Sequence, residues 1–197
     1  MNKTIGIILA AGFSRRMKKD KLLLKYNEKT FLEIIVEKLL NLKLRKIILV
    51  VSEKASLEEY LNSLKYYPTI IIVYNKNPEL GITSSIKKAL EEVVNFRIDF
   101  DSLMFFMVDQ PFLSENTIRK IINSKKENCI IVPKINETAY NPVLFSKKFL
   151  KNFFELEGDI GGKQIIKENQ NSVIYINFEE EEEFQDIDTP EDFSKIK

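Results

Sequence analysis

Four side chains in this sequence have the types and settings for phosphate and metal chemistry: Arg15, Lys21, Asp109 and Asp188. Asp109 ends a strongly apolar run that begins at Leu103, and it precedes Gln110 and Pro111. A carboxylate at such a boundary is costly without a partner. A divalent cation would supply one, since Mg²⁺ takes one or two carboxylates together with substrate phosphate oxygens. The same residue reads equally as a turn aspartate before proline. A second source of carboxylates is Asp186-Ile187-Asp188, where strand alternation predicts both aspartates on one face and Ile187 on the other. The following Thr189-Pro190-Glu191-Asp192 reads as a helix start, with Thr189 as N-cap and Pro190 at the first helical position. That explanation leaves Asp188 unaccounted for. Arg15 and Lys21 follow the small-residue turn Leu9-Ala10-Ala11-Gly12. Small residues let backbone approach a ligand, loop N–H groups cradle phosphate oxygens, and two cations suit a polyphosphate. The turn is neither a P-loop nor a dinucleotide fingerprint, and it reads also as an exposed connection with ordinary surface charges.

Composition narrows the chemistry further. The 197 residues contain no histidine and one cysteine, so an imidazole base, a histidine-activated nucleophile, a multi-cysteine metal site and an internal disulfide are all excluded. Cys129 reads as a small core residue. Lys and Arg number 30 against 29 Asp and Glu, so no global basic field points to nucleic acid. The acidic run Glu179–Glu183 reads as a solvated loop. The apolar stretch from Ile5 to Ala11 is short for a leader and runs into basic residues, so it is read as a buried strand. No apolar run reaches the ~18 residues of a membrane span. The expectation is a cytoplasmic protein that binds no nucleic acid and no membrane.

The elements that would position these residues alternate. Residues 4–10, 46–51, 69–74 and 103–108 read as strands buried on both faces, the mark of a parallel sheet. Amphipathic helices are expected at 30–42, 57–64, 83–94, capped by Thr83 or Ser84, and 114–124, capped by Ser114. Later strands are read at 130–132, 143–145 and 172–177, with helices near 149–154, 162–167 and after Pro190. The predicted fold is α/β: a three-layer α/β/α arrangement around a mainly parallel, Rossmann-like sheet, one domain over 1–197. Ligands of such sheets bind beyond the carboxyl ends of the strands, which is where Gly12 and Asp109 fall.

Taken together and in order, LAAGFSRRM at 9–17, KLLL at 21–24, LGITSSI at 80–86, DQP at 109–111, NPVLF at 141–145, GDIGGK at 158–163 and DIDTPEDF at 186–193 resemble the molybdenum cofactor nucleotidyltransferases, especially the cytidylyltransferase branch. The resemblance spans nearly the whole chain. Guanylyl-transferring members usually open with LAGG, whereas this chain has Ala11 there.

The resemblance implies a sheet of the nucleotide-diphospho-sugar transferase type and Mg²⁺-dependent transfer of CMP from CTP to a molybdopterin-type cofactor phosphate, with release of pyrophosphate. It implies that Leu9, Ala10, Ala11, Gly12, Gly81 and Ser85 surround the nucleotide and that Arg15 and Lys21 hold the triphosphate. Asp109 would bind Mg²⁺ with Asp188 as second ligand, and Asn141, Gly158 and Asp159 would lie toward the acceptor. A target molybdoenzyme or its chaperone is the further partner implied. The chain departs from the family pattern at Lys18, Asp20, Val108, Tyr140 and Lys163. Alternatives are the same fold using GTP or a sugar or polyol phosphate acceptor, and a non-catalytic carrier of the cofactor.

Overall fold

The computed structural model describes residues 2–12, 17, 21–53 and 57–196. Strand β1 (Thr4–Ala10) is buried along its whole length. A small hairpin of β2 (Lys25–Tyr26) and β3 (Lys29–Thr30) leads into α1 (Phe31–Asn41), and β4 (Lys46–Val51), α2 (Glu58–Leu64), β5 (Ile70–Tyr74) and α3 (Ile82–Asn95) follow. Next come β6 (Ser102–Met107), α4 (Glu115–Asn123), β7 (Ile130–Ile135), β8 (Thr138–Ala139), β9 (Val143–Ser146), α5 (Leu150–Glu155), α6 (Lys163–Glu168), β10 (Val173–Asn177) and α7 (Pro190–Lys195).

The main sheet has eight strands in the order β10-β7-β9-β6-β1-β4-β5, with β8 paired to β7. β1 runs parallel to both β4 and β6, and β9 is inserted antiparallel between β6 and β7. Alternation along β1 sends Ile5, Ile7 and Leu9 into one half of the core and Ile8 and Ala10 into the other. The first half packs on α3, α5 and α6 and the second on α1, α2 and α4, which makes the three layers. Gly6 makes room for the segment between α1 and β4: an added Cβ would stand 2.8 Å from the Leu44 side chain.

Local signals set the helix starts. Thr30 and Glu33 form a reciprocal capping box on α1, and the Ser114 hydroxyl accepts from the Thr117 amide on α4. α3 differs from expectation. It starts at Ile82 and neither Thr83 nor Ser84 caps it; Gly81 occupies the N-cap position without a side-chain bond. The stretch 185–188 is not a strand but extended coil after a 3₁₀ turn at Glu181–Phe184. No helix among the described residues is long and apolar enough to cross a membrane.

Candidate active site

Because β1 and β6 are neighbours with Leu9 opposite Met107, their carboxyl ends release two chain segments side by side. Ala11 and Gly12 leave β1, and Val108 and Asp109 leave β6. A cavity of about 450 Å³ opens there, lined by Leu9, Ala11, Gly12, Gly81 and Ser85, together with Asp159. A Cβ added to Gly12 would meet nothing within 4 Å, so the backbone there faces open space. Five of the six residues expected around a nucleotide therefore share one cavity; Ala10 is the exception, its side chain packed into the core.

Beside these strand ends, Lys21, at the start of a 3₁₀ turn, binds two aspartates at once. Its Nζ donates to Asp109 Oδ2 at 3.0 Å and to Asp188 Oδ1. The three side chains are 14%, 18% and 25% exposed for Lys21, Asp109 and Asp188, so solvent weakens these pairs only in part. Burial works against the charge on Lys21, but Asp109 and Asp188 outweigh it and hold its pKa above the usual lysine value. The segment carrying Asp188 is tied down because the Ile187 amide donates to the Asp109 carbonyl at 2.8 Å and Ile187 is fully buried. Its other side is fixed by Asp192, whose carboxylate accepts from the amides of Asp188 and Thr189. Coil anchored in this way brings Asp109 and Asp188 together across 79 residues of sequence; a strand face is not what does it. Arg15 lies outside the described residues, as do Lys18 and Asp20.

Asp186 belongs to the same neighbourhood. Crowding of its carboxyl by protein atoms raises its pKa first, and the carboxylates of Asp109 and Asp188 add to this, while a Gln110 hydrogen bond and Lys21 oppose it; the result is about 6. The residue as a whole retains exposed surface, on the wall of a second cavity of about 420 Å³ shared with Tyr140, Glu181, Glu182 and Phe184. Tyr140 donates to Glu181 Oε1 at 2.7 Å, and its ring lies 5.4 Å from that of Phe184.

The predicted acceptor-side residues separate. Asp159 lines the first cavity, and its Oδ1 accepts from the Ile82 amide at 2.5 Å, so it caps α3 from 77 residues away. Gly81 makes this possible: its φ of +85° suits glycine, and a Cβ there would run into the Asp159 carboxyl. Asn141 is exposed and lines neither cavity, but it adjoins Tyr140 of the second. Gly158, at φ +69°, turns the chain into Asp159. Asn75 escaped sequence reading. It is buried and donates to the Ser84 and Ser85 hydroxyls at 2.9 and 3.0 Å, which holds Ser85 at the cavity wall. An asparagine straight after β5 was the available signal.

A carboxylate pair converging on one cation position is a fair match for a divalent metal. The donors are hard oxygens, and a lysine ammonium already occupies the point where two of them meet. Among the described residues no group of three metal-ligating side chains is poised together. The remaining coordination would thus fall to phosphate oxygens and water, which is the usual way Mg²⁺ sits between protein and nucleotide.

The cavity lies at the carboxyl ends of parallel strands, flanked by paired aspartates and a lysine, which is where open α/β sheets bind their ligands. The fold is a known one: the structure of a nucleotidyl transferase from Methanothermobacter thermautotrophicus superposes with a TM-score of 0.80 at 19% identity, covering 100% of this chain and 96% of that one. Residues 6–173 match the MobA-like NTP transferase domain, and the chain belongs to that family. A probable molybdenum cofactor guanylyltransferase of Clostridium perfringens is 29% identical over 168 residues, 85% of this chain and 77% of that protein. The molybdenum cofactor cytidylyltransferase of Escherichia coli is 28% identical over 193 residues, 97% and 94% of the two chains.

Proposed function

We propose that this protein transfers CMP from CTP to the terminal phosphate of a molybdopterin-type cofactor and releases pyrophosphate. The observation that carries the reading is the convergence of Lys21, Asp109 and Asp188 beside the cavity formed by Ala11, Gly12, Gly81 and Ser85. An attacking phosphate is already anionic, so the reaction needs no histidine base. It needs charge neutralisation and in-line placement. Asp109 and Asp188 would hold Mg²⁺, which when bound supplies Lewis-acid polarisation of the α-phosphate. With its two carboxylates engaged in that way, Lys21 is released to face the triphosphate, and Arg15 adds a second positive charge for the departing pyrophosphate.

The nucleotide is placed by backbone at Leu9–Gly12 and by Ser85, which Asn75 orients. Ala11 supports CTP, because guanylyl-transferring members usually have glycine at this position of the cavity lining. The second cavity supports a pterin-like acceptor: the Tyr140 ring offers a flat wall, and Glu181 and Glu182 offer acceptors for ring N–H groups. GTP is the competing donor, favoured by the guanylyltransferase relative. Titrating the protein with CTP and GTP in Mg²⁺ distinguishes them: CTP is expected to bind at least about tenfold tighter, a difference of about 1.4 kcal/mol, and equal or reversed preference overturns the CTP assignment.

A further inference from the structure

A second cationic cavity lies at the opposite end of the sheet. It is formed where β6 begins, where α4 passes into β7 and where β9 ends, and its volume is about 500 Å³. β6 separates it from Asp109 by six residues of strand, about 20 Å. Lys125, Lys126, Lys147 and Lys148 line it. Asp101 answers only Lys125, at 2.7 Å. Among the described residues, no carboxylate lies within ion-pair distance of Lys126, Lys147 or Lys148. Glu127 is the remaining acidic residue of the lining, so positive charge is in excess there although the chain as a whole is nearly neutral.

Ser146 lies at the floor of this cavity and is 6% exposed; its Oγ is shut off from the cavity and has no hydrogen-bond partner among the described residues. Its cross-strand neighbour Ser102 is satisfied by Thr4 and Asp101. Ser146 also occupies the N-cap position of the helical turn at Lys147–Phe149 without making a capping bond. Lys147 sits 5.0 Å above the Phe100 ring, which braces that side chain over the cavity.

We propose that this cavity is a second anion site, which takes the phosphate groups of a small phosphorylated molecule. Lysine ammonium groups bind phosphate as point charges. The concave shape and a volume within the range of small-molecule sites favour a compact ligand over an extended polyanion.

The test uses the full chain with inorganic pyrophosphate as the probe and no divalent metal, followed by two-dimensional amide NMR. The expected result is saturable shifts at 125–128 and 146–148. A variant combining Lys126→Gln, Lys147→Gln and Lys148→Gln, all exposed positions, should weaken those shifts about tenfold or more while its thermal midpoint stays close to that of the parent. Shifts confined to the surroundings of Gly12, Lys21 and Asp109 would overturn the proposal. So would the absence of any shift, or shifts at 125–128 and 146–148 that persist unchanged in the triple variant. The nucleotidyl-transfer reading is left standing by each of these results.

Discussion

Replacing Lys21 by methionine removes the ammonium that lies between Asp109 and Asp188 and leaves two facing carboxylates. Exposed ion pairs contribute up to about 1 kcal/mol, and removal of one partner from a fully buried pair costs about 3–5 kcal/mol. Side-chain exposures of 14–25% place this cluster between those limits, so Lys21→Met should cost about 2 kcal/mol without divalent metal. For a chain of this length that corresponds to about 4–8 °C in thermal midpoint. Magnesium should then act unequally. In the parent protein the ammonium competes with the metal for both carboxylates; in the variant it does not. A tenfold gain in metal affinity returns about 1.4 kcal/mol at saturation, so added Mg²⁺ should raise the midpoint of Lys21→Met more than that of the parent. Pyrophosphate release should nevertheless fall by about 10²-fold or more, because the phosphate-facing charge is gone. Thermal unfolding with and without Mg²⁺, followed by a pyrophosphate-release assay on the same samples, reads all three. Equal Mg²⁺ responses in the two proteins, or full activity in the variant, would refute the shared cation position.

Asp109→Asn should keep the fold and lose about 10²–10³-fold in rate of pyrophosphate release, checked against an unchanged circular dichroism spectrum. Gly81→Ala should displace Asp159 from the Ile82 amide and force alanine into a glycine-only backbone region; a loss of about 1–3 kcal/mol in denaturant titration and a raised KM for the nucleotide are expected. Glu33→Gln tests the α1 capping box. The hydrogen bond from the Thr30 amide, ahead of other causes, holds the Glu33 pKa below the usual carboxylate value. A depressed carboxylate stabilises the fold above its unfolded pKa, and that contribution is lost as pH falls through the folded value. The variant should therefore be about 0.5–1 kcal/mol less stable at pH 7, and the difference should shrink as pH falls below the usual carboxylate range, as read by urea unfolding at each pH.

The strand pattern was legible because parallel strands buried on both faces leave continuous apolar runs, and β4 falls at the expected Lys46–Val51. Ser114 and Thr189 were legible as caps because their partners lie three residues away. The α3 cap was not, since its carboxylate comes from Asp159, a contact that exists only once the sheet has formed. The alternation of Asp186 and Asp188 suggested a strand face. What aligns Asp188 with Asp109 is instead the Ile187–Asp109 backbone bond and the buried Ile187 side chain. The antiparallel insertion of β9 between β6 and β7 likewise leaves no local trace in a four-residue apolar strand. Asp109 and Lys21 stood out singly. Their pairing depended on a long-range geometry that spacing does not encode.

The measurement closest to the central claim is product analysis with purified protein, molybdopterin, Mg²⁺ and each nucleoside triphosphate offered separately. Equimolar pyrophosphate and a cytosine dinucleotide of the cofactor are expected with CTP, and at most a small fraction of that with GTP. A guanine dinucleotide formed preferentially, or cofactor bound with no pyrophosphate released from any triphosphate, would contradict that claim.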